Sequence, residues 1–298
     1  MKIIIQSYST TGVRPNNEDA MDLINNLNGE NNSNIKILYN GVFDGHGGGD
    51  VSKILVDKEK INISKYFCHT ASPIATKISQ KLSQSQIESL NNKMIIPLFD
   101  RIQEKLKNSY ISSNTMGSTA LISIIYPKSE QSDKYNLKVI NLGDSRAILC
   151  SKYNIAQQLT LDHKPHLFCE RPRIIQMGGT IIESNDDDPR INGMSVSRSF
   201  GDLDNHYISQ IPDIYDYELS GEKFIIMACD GVWDVLHNQV VCDYILQKLS
   251  ELTSSNRQLT EFKGRSENNI AQKLADFAIE NGSKDNISIS IMFFPDNI

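Results

Sequence analysis

The chain has 298 residues, with 36 acidic against 30 basic side chains and a formal net charge of −6. No run of Lys or Arg stands out, which argues against nucleic acid or an anionic membrane as the main partner, since both need a basic face. Hydrophobic content of 39% and charged content of 22% fit a globular chain long enough to bury a sizeable core.

The opening Met1-Lys2-Ile3-Ile4-Ile5 is too short an apolar stretch for a signal peptide. Lys2 stands where N-terminal myristoylation requires Gly. No run approaches the ~20 apolar residues of a membrane span. The five cysteines, at 68, 150, 169, 229 and 242, contain no CxxC pair, so neither a disulfide framework nor a zinc site is expected. Cys150 and Cys229 read as small buried hydrophobes. A reducing compartment follows, cytoplasm or nucleus.

In chain order, the first predicted strand is Ile3–Ile5, followed by the acidic pair Glu18-Asp19 and a short segment Ala20–Ile24. A strand over Ile35–Phe43 runs into Asp44-Gly45-His46, and a helix is predicted at Val51–Asp57. Helical spacing links Ile87, Leu90, Met94, Ile95, Leu98, Phe99, Ile102 and Leu106, with Pro97 as a kink or restart. Strands follow at Thr119–Tyr126, Leu137–Leu142 and Ala147–Cys150, the last two read as a hairpin around Gly143-Asp144-Ser145-Arg146. Helices are expected at Arg173–Met177, Val240–Leu249 and Ile270–Ile279, the last stopped by Gly282. Strands Phe224–Cys229 and Ile287–Phe294 complete the set; the latter alternates Ile with Ser, as a strand with one wetter face does. This order is not regular strand–helix alternation, and an α+β layered arrangement suits it better.

The chemistry collects where apolar strands end. Glu18 and Asp19, Asp44, Asp144, Asp230 with Asp234, and Asp285 lie on separate segments, mostly beside Gly. Carboxylates that converge repel one another unless cations sit among them. Oxygen ligands at such density suit Mg²⁺ or Mn²⁺ rather than zinc. Two such ions about 3.5–4 Å apart can clamp a phosphate and activate water. Gly45 would let a backbone carbonyl reach a metal. Arg14 offers the planar fork that phosphate oxygens prefer. His46 is the candidate acid for a leaving alkoxide, because imidazole titrates near neutrality. Asp202 and Asp204 read as loop residues or as residues behind the site, Arg198 as the partner of a nearby acid, His163 as the brace of a turn, and Trp233 as core.

Taken together, Arg14-Pro-Asn-Asn-Glu18-Asp19, Phe43-Asp44-Gly45-His46-Gly47-Gly48, Gly117-Ser118-Thr119-Ala120, Asn141-Leu-Gly143-Asp144-Ser145-Arg146-Ala147, Asp162-His163-Lys164-Pro165, Ser195-Val-Ser197-Arg198-Ser-Phe-Gly201-Asp202, Ala228-Cys-Asp230-Gly231-Val-Trp233-Asp234 and Ser283-Lys-Asp285-Asn286 resemble the motifs of the metal-dependent protein phosphatases of type 2C. They keep the family's order from about residue 12 to 286. The resemblance implies one catalytic domain over residues 1–298 with no appended segment. Its fold would be two packed antiparallel β-sheets flanked by α-helices, a four-layer α-β-β-α sandwich, with a flap at about 166–192. It implies two divalent cations, Mg²⁺ or Mn²⁺. Asp44, Asp230 and Asp285 would hold one, and Glu18, Asp44 and the Gly45 carbonyl the other. Asp19 would act through water, and Asp144 and Asp234 would add a third, weaker site. Arg14 would hold the phosphate and His46 would be the general acid.

The implied activity is hydrolysis of phosphoserine and phosphothreonine in proteins by direct attack of a metal-bridging water. The expected partners are phosphorylated proteins, not nucleic acid or membrane, and the expected state is a monomer. The less usual Arg171-Pro172 and Met194 put flap-dependent substrate preference in doubt. The alternative is a catalytically silent phosphatase-like adaptor that binds phosphoproteins or kinases. Every matched ligand position is acidic, which speaks against it.

Overall fold

The computed structural model describes residues 2–25, 37–69, 92–109, 111–128, 134–183 and 188–298. Ile35, Ile87 and Leu90 lie outside the described residues.

Two sheets carry the architecture. One has six strands, in the order Phe262–Lys263, Ile4–Thr10, Ile287–Phe293, Phe224–Ala228, Arg146–Cys150 and Ala156–Gln158. The other has five, in the order Asp213–Leu219, Tyr135–Leu142, Ala120–Pro127, Leu38–Phe43 and Ala20–Ile24. Neighbours within both sheets are antiparallel except Phe262–Lys263, which lies parallel to Ile4–Thr10.

Three buried clusters show how the layers stack. Val42, Leu121, Val139, Ala147, Ile225, Met227 and Met292 fill the space between the two sheets. Alternate residues of the five-stranded sheet, such as Tyr39, Phe43, Ile122 and Ile140, pack outward on Val51, Leu55, Phe99 and Ile102. These last belong to the helices Asp50–Val56 and Asn92–Lys107. Ile148, Ile226, Ile289 and Ile291 of the six-stranded sheet pack on Val241, Ile245, Leu274 and Ala278. Those belong to the helices Asn238–Ser254 and Ile270–Glu280. Period-two strands thus bury both faces, one on the opposite sheet and one on helices. The result is an α-β-β-α sandwich, as the sequence motifs implied. No helix among the described residues is long and apolar enough to cross a membrane.

Four expectations change. Leu142 and Arg146 do not flank a hairpin: Tyr135–Leu142 pairs only within the five-stranded sheet and Arg146–Cys150 only within the six-stranded one. Gly143-Asp144-Ser145 is therefore a crossover from one sheet to the other, which puts Asp144 at the open end of the sandwich. Secondly, Ser288 and Ser290 do not face water, for all of Ile287–Phe293 is buried. Ser288 bonds Ser9 at 2.8 Å and Ser290 accepts from Asn40 Nδ2 at 2.9 Å, so small hydroxyls satisfy one another inside the sandwich. Thirdly, the first strand extends through Thr10, because Gln6 and Ser7 are buried in the full-length pairing with Ile287–Phe293. Lastly, Pro97 neither restarts nor ends its helix; Ile95, Leu98, Phe99, Ile102 and Leu106 hold the helix on the sheet through it.

Candidate metal centre

At the end of the sandwich where Leu38–Phe43, Tyr135–Leu142 and Phe224–Ala228 finish lies a cavity of about 620 Å³. Arg14, Glu18, Asp44, Gly45, His46, Asp144, Asp230, Asp234 and Asp285 all line it. Asp19 is buried beneath. Segments remote in sequence meet here because each strand end is anchored to another. Asn286 accepts from Glu18 N at 2.8 Å and donates to the carbonyls of Thr11 and Asn16 at 3.0 and 2.9 Å, binding the first loop to the last strand. Thr119 N donates to Asp44 O at 2.8 Å, Thr119 Oγ1 accepts from Asp44 N at 3.1 Å, and the same hydroxyl reaches Ser145 Oγ at 2.9 Å. Asp230 opens the short helix Asp230–Trp233, and Asp234 N returns to its carbonyl at 2.9 Å.

Gly45 also has a steric reason. A Cβ there would stand 2.2 Å from the Glu18 carbonyl oxygen, so the glycine lets the Glu18 segment approach the Asp44 strand. Ser52 Oγ donates to that same carbonyl, from the helix Asp50–Val56.

Donor atoms of Asp44, Asp144 and Asp230 lie within 4.8 Å of one another, and so do those of Asp19, Asp44 and Cys229. Both carboxylate oxygens of Asp19 and of Asp144 are buried with no hydrogen-bond partner among the described residues. Buried carboxylates are ordinarily satisfied, so four orphaned oxygens at one mouth make a place that a cation could fill. Burial and then mutual repulsion push Asp44 and Asp230 well above the ordinary carboxylate range. Burial raises Asp19 and Asp144 to about 6. Cys229 accepts from Ser288 N at 3.1 Å and donates to Asn286 O at 3.4 Å. Burial pushes its thiol far up, which disfavours the thiolate, and the other donors of both groups are carboxylate oxygens. That set fits a hard divalent ion.

Other residues arrive differently from the implied arrangement. Asp285 lines the cavity and adds repulsion to both Asp44 and Asp230, yet its side chain is 39% exposed and receives Arg14 Nη2 at 2.8 Å. Arg14 Nε also donates to Lys284 O at 2.9 Å, so its fork is turned onto the chain itself. Asp234 accepts from Lys164 Nζ at 3.2 Å, and the same ammonium bonds Asp188. Asp234 is thus tied through Lys164 to the segment that carries Arg190–Ile191, which pairs with Ile181–Ile182. The helix Arg171–Gln176 precedes that pair within the expected flap.

His46 Nε2 lies 2.7 Å from Asp202 Oδ2. Burial alone would lower the imidazole, but the Asp202 hydrogen bond and charge outweigh it and raise the pKa. Asp202, at φ +50°, is fixed by its N–H on Met116 O at 3.0 Å, and Gly201 is clasped by Gln103 through bonds of 2.8 and 2.9 Å. A Cβ on Gly117 would stand 2.1 Å from Asp202 Oδ2 and 2.3 Å from His46 Nε2, so only glycine admits this pair. Of the two readings the sequence left for Asp202, a loop residue or one behind the site, the structure supports the second, though nothing in the sequence named His46 as its partner; Gly117 and the Gly201-Asp202 turn are the visible traces. Lys164 and Asn286 also went without a role in the sequence reading.

Three structural assignments hold. His163 Nδ1 accepts from Gly143 N at 2.9 Å and bridges to Asp213 at 3.1 Å, bracing the Asp144 turn. Arg198 lies on Glu170 at 2.5 Å and Asp213 at 3.0 Å. Trp233 is 7% exposed, with Nε1 on Ala228 O at 2.9 Å.

Comparison with known proteins agrees with this geometry. The family model described as Protein phosphatase 2C matches residues 5–287. A PP2C-like domain-containing protein, R307 of Acanthamoeba polyphaga mimivirus, is 41% identical over 179 residues, covering 55% of this chain and 97% of that protein. Protein phosphatase 1A of Homo sapiens is 29% identical over 270 residues, 85% of this chain; the chain spans 62% of that protein's length. In fold, a phosphatase from a pathogenic strain of Toxoplasma gondii superposes with a TM-score of 0.69 at 22% identity, covering 98% of this chain and 96% of the other.

Proposed function

The chain belongs to the protein phosphatase 2C family, and from that premise we propose that it hydrolyses phosphoserine and phosphothreonine in proteins with the help of Mg²⁺ or Mn²⁺. The observation that carries the reading is the convergence of Asp44, Asp144 and Asp230 beside orphaned, buried oxygens.

Asp44 sits between the two carboxylate groups, sharing one with Asp144 and Asp230 and the other with Asp19. It therefore bridges the positions where two cations would be held, with Glu18 and Asp285 at the rim and Asp234 beside Asp144. The bound cations supply the charge that activates water and offsets the phosphate's own negative charge. Asp202 holds His46 through Nε2 and raises its pKa, which favours the protonated ring. Nδ1 makes no hydrogen bond among the described residues, and it is the nitrogen that donates a proton to the leaving serine or threonine oxygen. Arg14 exchanges Asp285 for phosphate when substrate enters, its fork being 53% exposed.

Turnover of para-nitrophenyl phosphate and of phosphoserine and phosphothreonine peptides tests the proposal. Activity should require added Mn²⁺ or Mg²⁺ and vanish in EDTA. Full activity in excess chelator, or none on any of these substrates with either metal, contradicts it.

A further inference from the structure

The mechanism uses no cysteine, yet two of them touch. Cys150 ends the strand Arg146–Cys150, Cys242 lies early in the helix Asn238–Ser254, and both are fully buried. Cys242 Sγ donates to Cys150 Sγ at 2.7 Å. A disulfide needs about 2.05 Å between sulfurs, so a small side-chain adjustment joins them.

The surrounding seam is already fixed. Arg146 Nη1 donates to Asn238 Oδ1 at 2.8 Å, Asn238 Nδ2 to Gln158 Oε1 at 2.9 Å, Ala156 N to Gln239 Oε1 at 2.9 Å, and Gln239 Nε2 to Asn154 O at 2.9 Å. These bonds stitch the start of the helix to the 146–158 hairpin on both sides of the sulfurs. The pair lies directly under the hairpin's tip, where Tyr153 is 73% and Ile155 59% exposed. A reactant reaches the sulfurs by opening a short surface turn rather than the core.

We propose that Cys150 and Cys242 are a dithiol–disulfide couple, oxidised by peroxide, that staples the helix to the hairpin while the carboxylate end stays as it is. The thiol of Cys150 is the nucleophile, because it accepts the hydrogen bond from Cys242 Sγ, which favours its thiolate. Its sulfur attacks one peroxide oxygen, the O–O bond breaks, and water leaves as the sulfenic acid forms. The Cys242 sulfur then attacks the Cys150 sulfur, the S–O bond breaks, and the hydroxyl departs as water with the Cys242 proton. Two thiols and one peroxide thus give one disulfide and two waters. In a reducing compartment the couple rests as the dithiol, as the cysteine count suggested.

The test is peptide mapping of the folded, full-length protein after hydrogen peroxide, followed by alkylation under denaturing conditions. The expected result is a crosslinked Cys150–Cys242 peptide that dithiothreitol dissolves. With it should come a rise in melting temperature of roughly 5–10 °C, absent from Cys242→Ala. Recovery of both cysteines alkylated, as sulfinic acids, or paired with other cysteines overturns the proposal. The wild-type map decides the matter even if the variant folds poorly, and none of these readouts depends on phosphatase activity.

Discussion

Two groups of buried carboxylates in this molecule have opposite fates. At the open end of the sandwich, Asp19, Asp44, Asp144 and Asp230 face one another, and all are raised above the ordinary carboxylate range. On the flank beside it, Glu170 is equally hidden, but Arg198 and Arg173 close on it at 2.5 and 2.8 Å and Ser197 Oγ adds 2.9 Å. Burial there would raise Glu170, and the guanidinium groups win and hold it at about 2. Asp213, bonded by His163 and Arg198, is likewise held at about 2. The flank supplies its own cations and is finished as folded. At the mouth Lys164 meets Asp234 and Arg14 meets Asp285, but no ion pair closes on Asp19, Asp44, Asp144 or Asp230 among the described residues, which leaves those four to ions from solution. The difference between a structural and a functional acid lies here in who brings the counter-charge.

The largest expected effect comes from removing the shared ligand. Asp44→Ala should lower kcat/KM on para-nitrophenyl phosphate by about 10³-fold or more. In the same spirit, Asp44→Asn should raise the melting temperature in EDTA, because it deletes a repelling charge. An unchanged or lowered value would mean that the mouth is not strained by repulsion. Next in size, Glu170→Ala strands the half-buried Arg198 and Arg173 and should cost about 3 kcal/mol, read by urea titration. Indifference to it would erase the contrast between the two regions.

Asp202→Asn should lower kcat about 10–100-fold. It should also move the alkaline limb of the pH–rate profile to lower pH, because His46 loses the charge that raises its pKa and must be protonated to act. A limb that stays put removes His46 from the acid role. The pH dependence of stability without metal sharpens the comparison further. Carboxyls raised to about 6 destabilise the fold above that pH, so melting temperature in EDTA should climb as pH falls through the range of Asp19 and Asp144. Glu170 and Asp213 stabilise fully above the ordinary carboxylate range, and that stabilisation is lost as pH drops toward 2. The metal-free optimum should therefore lie near pH ~4, and saturating Mn²⁺ should flatten the rise on its alkaline side. The smallest effect is expected at Asn269, whose side chain caps Ala271 N at 3.0 Å. Asn269→Ala should cost about 1 kcal/mol and leave metal affinity unchanged.

Much of this was legible because the apolar runs end where the acids begin. Phe43 before Asp44 is a strand end in the sequence and in the fold alike, and the strand from Phe224 stops at Ala228, one residue short of the expected Cys229. What periodicity does not encode is which strand lies beside which. Gly143–Ser145 looked like a hairpin turn and is a passage between sheets, and that passage is why Asp144 joins Asp44. Ser288 and Ser290 looked wet because alternation records polarity, not partners; Ser9 and Asn40 meet them from elsewhere in the chain. The His46–Asp202 pair joins residues 156 apart through a positive-φ turn clasped by Gln103, a contact no local pattern announces. The Arg14–Asp285 ion pair is similar: each residue was singled out, but not that each would hold the other.

Crystals grown without metal and then soaked in Mn²⁺ give the most direct measurement, by anomalous scattering. The account predicts two peaks that share Asp44, one against Asp144 and Asp230 and one toward Asp19 and Glu18. A mouth that stays free of peaks at saturating Mn²⁺, or ions bound only elsewhere on the surface, would contradict it.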